Sequence, residues 1–252
     1  MADIVLIGVA HDDLKGKERL SRALEIEKPD IITLETTIDM MNNFKESYDI
    51  LVDNLLNILK EKNVNETTYS LFEEILDISE PFEHSVCKDY ARKNNTKFYI
   101  IDHPESSAKA RDNIKSGLTQ FVEQADKNFL EAITKESINE DNDKMYKHIQ
   151  DLFDAKVPNI GEEEKIINLC RESMYLKERD LNQASNIRRL TKENDCKIVH
   201  VGGTLHMMDD SLGQSLYSRI KDLNPKRKTL LEYASPTSEI AKLFDSIYKF
   251  YK

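Results

Sequence analysis

Short apolar runs rich in Ile and Val recur along the chain, each bounded by polar segments: "DIVLIGVAH", "PDIITLETT", "KFYIIDHP", "CKIVHVGGTLH" and "KTLLEYA". Their apolar character is continuous, not alternating, as in strands covered on both faces, so they predict central strands. Between the first two, Leu20, Ala23, Leu24 and Ile26 fall at helical spacing and Pro29 stops the pattern. Strand, helix and strand in that order predict a βαβ unit with a right-handed crossover. After Thr37 the period turns helical, with Ile50, Leu51, Leu55, Ile58 and Leu59 along one stripe. A further helical stretch is interrupted at Pro81 before "KFYIID". From Ser106 to Asn194 nearly everything reads as helix, broken near "KVPNIGEEE", and the tail "PTSEIAKLFDSIYKFYK" is amphipathic. The expectation is an α/β protein with a mainly parallel central sheet and a large helical cover. It forms a single domain over residues 1–252, with helical insertions at about 38–95 and 106–194.

Charge narrows the partners. The chain carries 36 Lys and Arg against 46 Asp and Glu, a formal charge of −10 that repels a phosphate backbone, so nucleic acid is not expected. The basic cluster "NPKRK" reads as solvated loop surface. Cys87, Cys170 and Cys196 are odd in number and widely spaced, and read as reduced thiols. No basic leader and no apolar run of roughly 18 to 20 residues is visible, which predicts a cytoplasmic protein with no membrane span.

The candidate chemistry lies at the strand ends. His11 follows the first run, Glu35 ends the second, Asp102 and His103 end the third, and His206 follows the fourth. Neighbouring parallel strands bring such residues to one sheet edge. Gly8 and Gly203 each precede a histidine by three, so Gly-x-x-His occurs twice in matching context; glycine permits a sharp exit or a close backbone approach. Two imidazoles and a carboxylate suit a divalent ion such as Mn, Co, Zn or Fe with room for water and substrate. The same residues equally suit an imidazole base beside a carboxylate. Replacing either histidine is expected to leave the fold intact. His84, His148 and His200 lack this context and read as structural or surface residues. In "SMYLKERDLNQASNIRRL", Leu176, Leu181, Ala184, Ile187 and Leu190 leave no clean opposite face for "KERD". Arg179 is therefore expected at a helix–sheet boundary, where its fork clamps a carboxylate or an oxyanion. Asp12 and Asp13 read as a helix-opening acidic pair, with extra ligation as the alternative.

In order, "GVAH", "KPDIITLE", "IIDHP", "LKERD" and "VGGTLH" resemble the TraB/PrgY/GumN family, which includes the TIKI proteins, within the erythromycin esterase and ChaN-like superfamily. The resemblance implies site roles for Gly8, His11, Glu35, Arg179, Gly203 and His206. Through its TIKI members it implies a metal-dependent hydrolase, with His11, Glu35 and His206 as ligands. Other members imply a metal-free esterase using a histidine base, or a non-catalytic protein that sequesters a peptide or small ligand.

Overall fold

A computed structural model describes residues 2–11, 13–76, 81–154, 170–172, 174–193, 195–210 and 212–234. The expected helix break at residues 156–164 and the amphipathic tail lie outside the described residues. Five strands, β1 (Asp3–Val9), β2 (Ile31–Leu34), β3 (Lys97–Ile100), β4 (Lys197–Gly203) and β5 (Lys226–Thr229), form one all-parallel sheet in the order β3-β2-β4-β1-β5. The protein is thus α/β with a helical cover.

Alternate strand residues feed opposite faces. Val5, Ile7 and Val9 with Ile32, Leu34, Val199 and Val201 bury against Leu20 and Leu24 of α1 (Gly16–Glu27) and Val86 and Cys87 of α4 (Phe82–Asn94). On the other face, Ile4 and Leu6 bury against Ala184 and Ile187 of α8 (Leu176–Glu193) and Leu216 and Ile220 of α9 (Leu216–Ile220). Ile26, Ile50 and Leu181, placed on apolar stripes by spacing, are exposed.

A third apolar cluster stands apart from the sheet. It joins Leu51, Leu55 and Leu59 of α2 (Ile38–Glu61), Leu76 of α3 (Glu66–Leu76), Val122 of α5 (Pro104–Gln124) and Leu130 of α6 (Lys127–Glu131). Helices α2 and α5 start directly after β2 and β3, so this cap grows from the carboxyl edge of the sheet. The long α7 (Lys135–Phe153) packs along β5, and Gln150 accepts the Thr229 N–H at 3.2 Å, which covers an otherwise open strand edge. No helix among the described residues is long and apolar enough to cross a membrane.

The last strand departs from expectation. It is the basic Lys226–Thr229, and "LLEY", which reads as strand, instead forms a 3₁₀ turn that buries Leu230 and Tyr233. "NPKRK" is not a solvated loop: Lys226 pairs with Asp3 at 3.0 Å and Lys228 with Glu27 at 2.8 Å. Arg227 sits between the rings of Tyr217 and Phe153, at 3.8 and 4.7 Å. Lys226 thus pairs with the neighbouring strand β1, while the edge position lets Arg227 and Lys228 reach partners beyond the sheet.

Glu27 knits this corner together, accepting from Lys197 (2.6 Å), Lys228 (2.8 Å) and Tyr233 (2.6 Å). Burial opposes its charge, but these partners lower its pKa to about 2. An unfolded Glu titrates near 4.3, so the unfolded chain binds the extra proton between those values. The stabilisation is complete above about pH 4.5 and is lost as pH falls toward about 2. Urea unfolding across that window should show stability falling with acid in the wild type and a flatter profile in Glu27→Gln; parallel profiles would refute the clamp.

Candidate active site

Strand topology creates the site. From β1 the chain passes to α1 on one face, while from β4 it passes to α9 on the other, so the connections diverge and open a crevice between two adjacent strands. Gly8 stands opposite Gly202 and Val9 opposite Gly203, so the two Gly-x-x-His motifs leave the sheet side by side. A Cβ on Gly203 would lie 3.4 Å from His11 Nε2, 3.5 Å from Glu35 Oε2 and 3.7 Å from His206 Cδ2. Three of the four candidate residues therefore ring one glycine, and the fourth, Arg179, grips Glu35.

Each candidate has a support that spacing along the chain could not disclose. His11 donates from Nδ1 to Glu83 Oε1 at 2.6 Å, Glu83 coming from the first turn of α4. The His11 side chain is 64% exposed, whereas Glu83 is buried. Enclosure by neighbouring atoms opposes the charge on His11, but Glu83 raises its pKa to about 9. His206 is only 2% exposed and has carboxylates on both sides: Nδ1 donates to Asp180, and Nε2 to Glu35 at 2.7 Å. Acceptors at both nitrogens require both protons, so the ring is an imidazolium. Burial works against it, yet Glu35 and Asp180 lift its pKa to about 10.

Glu35 also accepts from Arg179 and from the Gly203 N–H. Burial raises its pKa, but the His206 and Arg179 cations outweigh that and hold the carboxyl well below the usual range. Arg179 spreads its fork over Asp102, with Nε at 3.0 and 3.1 Å and Nη2 at 2.7 Å, so it clamps two of the protein's own carboxylates. Gln183 and the His103 N–H complete the shell of Asp102, at 3.2 and 2.8 Å. Asp180 is held by Arg171 at 2.7 Å, whose other arm reaches the Leu205 carbonyl. The cluster thus contains Glu35, Glu83, Asp102 and Asp180 against Arg171, Arg179 and two cationic rings, four charges of each sign.

Other candidates separate cleanly. The His103 ring caps α5, accepting the Ser106 N–H. His84 lies against Phe98, with ring centres 5.9 Å apart. His200 is fully buried on Thr33 (3.0 Å) and burial lowers its pKa to about 4, so it is neutral beneath the site. Asp13 is spent on Arg19, Tyr146 and the Lys15 N–H and is not a ligand; Asp12 lies outside the described residues.

The glycine roles also shift. Neither Gly8 nor Gly203 has a positive φ, so a sharp left-handed exit is not their purpose. Close approach is the purpose at Gly8, where a Cβ would lie 3.0 Å from Thr204 Cγ2, and the tightest position of the site is Gly202, where it would lie 2.6 Å from Glu35 Oε2 and 3.0 Å from His200 Nε2. Gly202→Ala should push Glu35 off its partners, with about 1–3 kcal/mol of stability lost and function lost with it. Gly203→Ala, meeting contacts no closer than 3.4 Å, should be milder. Equal thermal shifts for the two variants would show that the backbone simply relaxes.

Among the described residues no three His, Cys, Asp or Glu side chains already form a metal cage. The donor chemistry nevertheless fits a divalent ion. Both rings anchor Nδ1 on a buried carboxylate, the outer-shell arrangement of metal-ligating histidines, which leaves Nε2 as the ligand atom. An ion that replaced the two Nε2 protons would also preserve the charge balance. A groove of about 570 Å³ between α2 and α5, lined by Ile50, Leu51, Lys115 and Gln120, belongs to the cap and not to these residues. No protein-family model, curated protein or solved structure matches this chain.

Proposed function

We propose that this chain is a cytoplasmic hydrolase of the TraB/PrgY/GumN kind that activates water between His11 and His206 to cleave a peptide or small-molecule ester bond. The observation that carries the reading is the paired anchoring of the two imidazoles, each with Nδ1 on a buried carboxylate and both beside Glu35 and Gly203. His11, Glu35 and His206 are the residues that would hold a divalent ion. Such an ion lowers the pKa of bound water and polarises a carbonyl. Glu83 and Asp180 keep the rings turned toward the site, and Arg179, braced by Asp102, fixes Glu35. His11 is the exposed ring and stands where a substrate arrives.

A second reading rests on that same exposure. His11 backed by Glu83 is a carboxylate–imidazole pair that, once it has given up its Nε2 proton, can deprotonate water without a metal, while His206 remains a buried cation; activity by this route rises with pH toward about 9. Elemental analysis, with ester and peptide hydrolysis measured before and after chelation, separates the readings. Stoichiometric metal and loss of turnover on chelation support the ion; metal-free turnover that vanishes in His11→Ala supports the base. A metal-free, inactive protein with a saturable ligand would replace both with a sequestering protein.

A further inference from the structure

The ring of His11 is held by one hydrogen bond among the described residues, to Glu83, so the place of its Nε2 depends on the backbone that carries it. That backbone is clamped on both sides. The Ala10 N–H donates to the Tyr146 hydroxyl at 2.8 Å, and the same hydroxyl donates to Asp13 Oδ2 at 3.2 Å. Asp13 Oδ2 also accepts from Arg19 Nη1 at 3.1 Å, while its Oδ1 takes the Lys15 N–H at 2.9 Å. Arg19 extends its other arm to Asp143 on α7 at 2.5 Å. Tyr146, Asp13 and Arg19 are all buried, so water does not replace these bonds cheaply. Ala10 and Asp13 flank the histidine on either side, and one phenol oxygen from 136 residues away ties both to α7.

We propose that Tyr146 and Asp13 are positioning residues for His11: together they hold Ala10 and Asp13, on either side of it, between α1 and α7 and so set where the imidazole stands above Gly203. The inference rests on His11 as a working group of the site, but it is tested by the ring itself. Tyr146→Phe removes a single oxygen and keeps the buried ring. The imidazole ¹H–¹³C signals of His11, assigned by their loss in His11→Ala, should broaden or split in Tyr146→Phe while those of His206 stay in place. Turnover or cobalt affinity should fall about tenfold, the effect of roughly one hydrogen bond to a charged partner. Ile149→Val on the same helix, which trims the core without touching the turn, should leave the His11 signals unchanged. If Tyr146→Phe fails to fold, Asp13→Asn gives the same readout. A single unshifted His11 signal in the positioning variant, or an equal disturbance in Ile149→Val, overturns the proposal. A wild type with neither turnover nor metal would refute the hydrolase and leave the ring comparison standing, so the two failures are distinguishable.

Discussion

His206→Ala should lower the free energy of unfolding by about 3–5 kcal/mol, whereas His11→Ala should cost only about 1 kcal/mol, although the two residues close the same motif. The difference follows from what each deletion leaves behind. Removing the His206 ring strands Glu35 and Asp180, both buried, without the cation between them. Removing His11 strands Glu83 beside a ring that is 64% exposed, so water enters and solvates the carboxylate. The simple expectation that either histidine can be lost without harm to the fold should therefore survive for His11 and fail for His206. Urea unfolding of both variants checks this, and similar losses would mean that the buried imidazolium contributes no more than the exposed one. The practical consequence is that a function test should use His11→Ala, because any neutral replacement of His206 confounds activity with folding.

Uptake of a divalent ion should release close to two protons and tighten steeply with pH. Below about pH 9 both rings are protonated, and each must surrender its Nε2 proton to become a ligand. Linkage then gives an affinity that rises about 100-fold per pH unit from roughly pH 6 to 8 and levels off as pH passes about 9 to 10. Calorimetric titration of manganese or cobalt in buffers of different ionisation enthalpy counts the protons directly. Release near zero with tight binding would place the ion elsewhere. Protein purified under acidic conditions should accordingly retain little metal.

Most of the fold was readable because β1, β2 and β4 are buried on both faces and spell that coverage in near-continuous apolar runs, while the half-buried edge strand β3 still carries the apolar run Phe98–Ile100. The edge strand β5 was not, since it carries Arg227 between Lys226 and Lys228, and the partners of those lysines, Asp3 and Glu27, are over 190 residues away. At the site, His11, Glu35 and His206 were legible as polar groups closing apolar runs, and Arg179 as a charge on a helix without a free face. Glu83, Arg171 and Tyr146 were not, because each comes from a helix or helix flank where a polar residue breaks no pattern. Asp180 was in view beside Arg179, but nothing local distinguished its buried bond to His206 from a solvated charge. Gly203 drew attention by its place in the motif, while the crowding sits one residue earlier, where only the approach of Glu35 reveals it.

The apolar cluster of α2, α3, α5 and α6 shares no residue with the two clusters that sandwich the sheet. Cooperativity follows shared packing, so the cap has the makings of its own unfolding unit, able to open at a free energy below that of the whole molecule. Sequence drift there is correspondingly cheap. Substitutions at Leu55 or Val122 trade only among cap residues, while the strands that fix the reactive end keep their geometry. A scaffold divided in this way can acquire a new rim over an old centre.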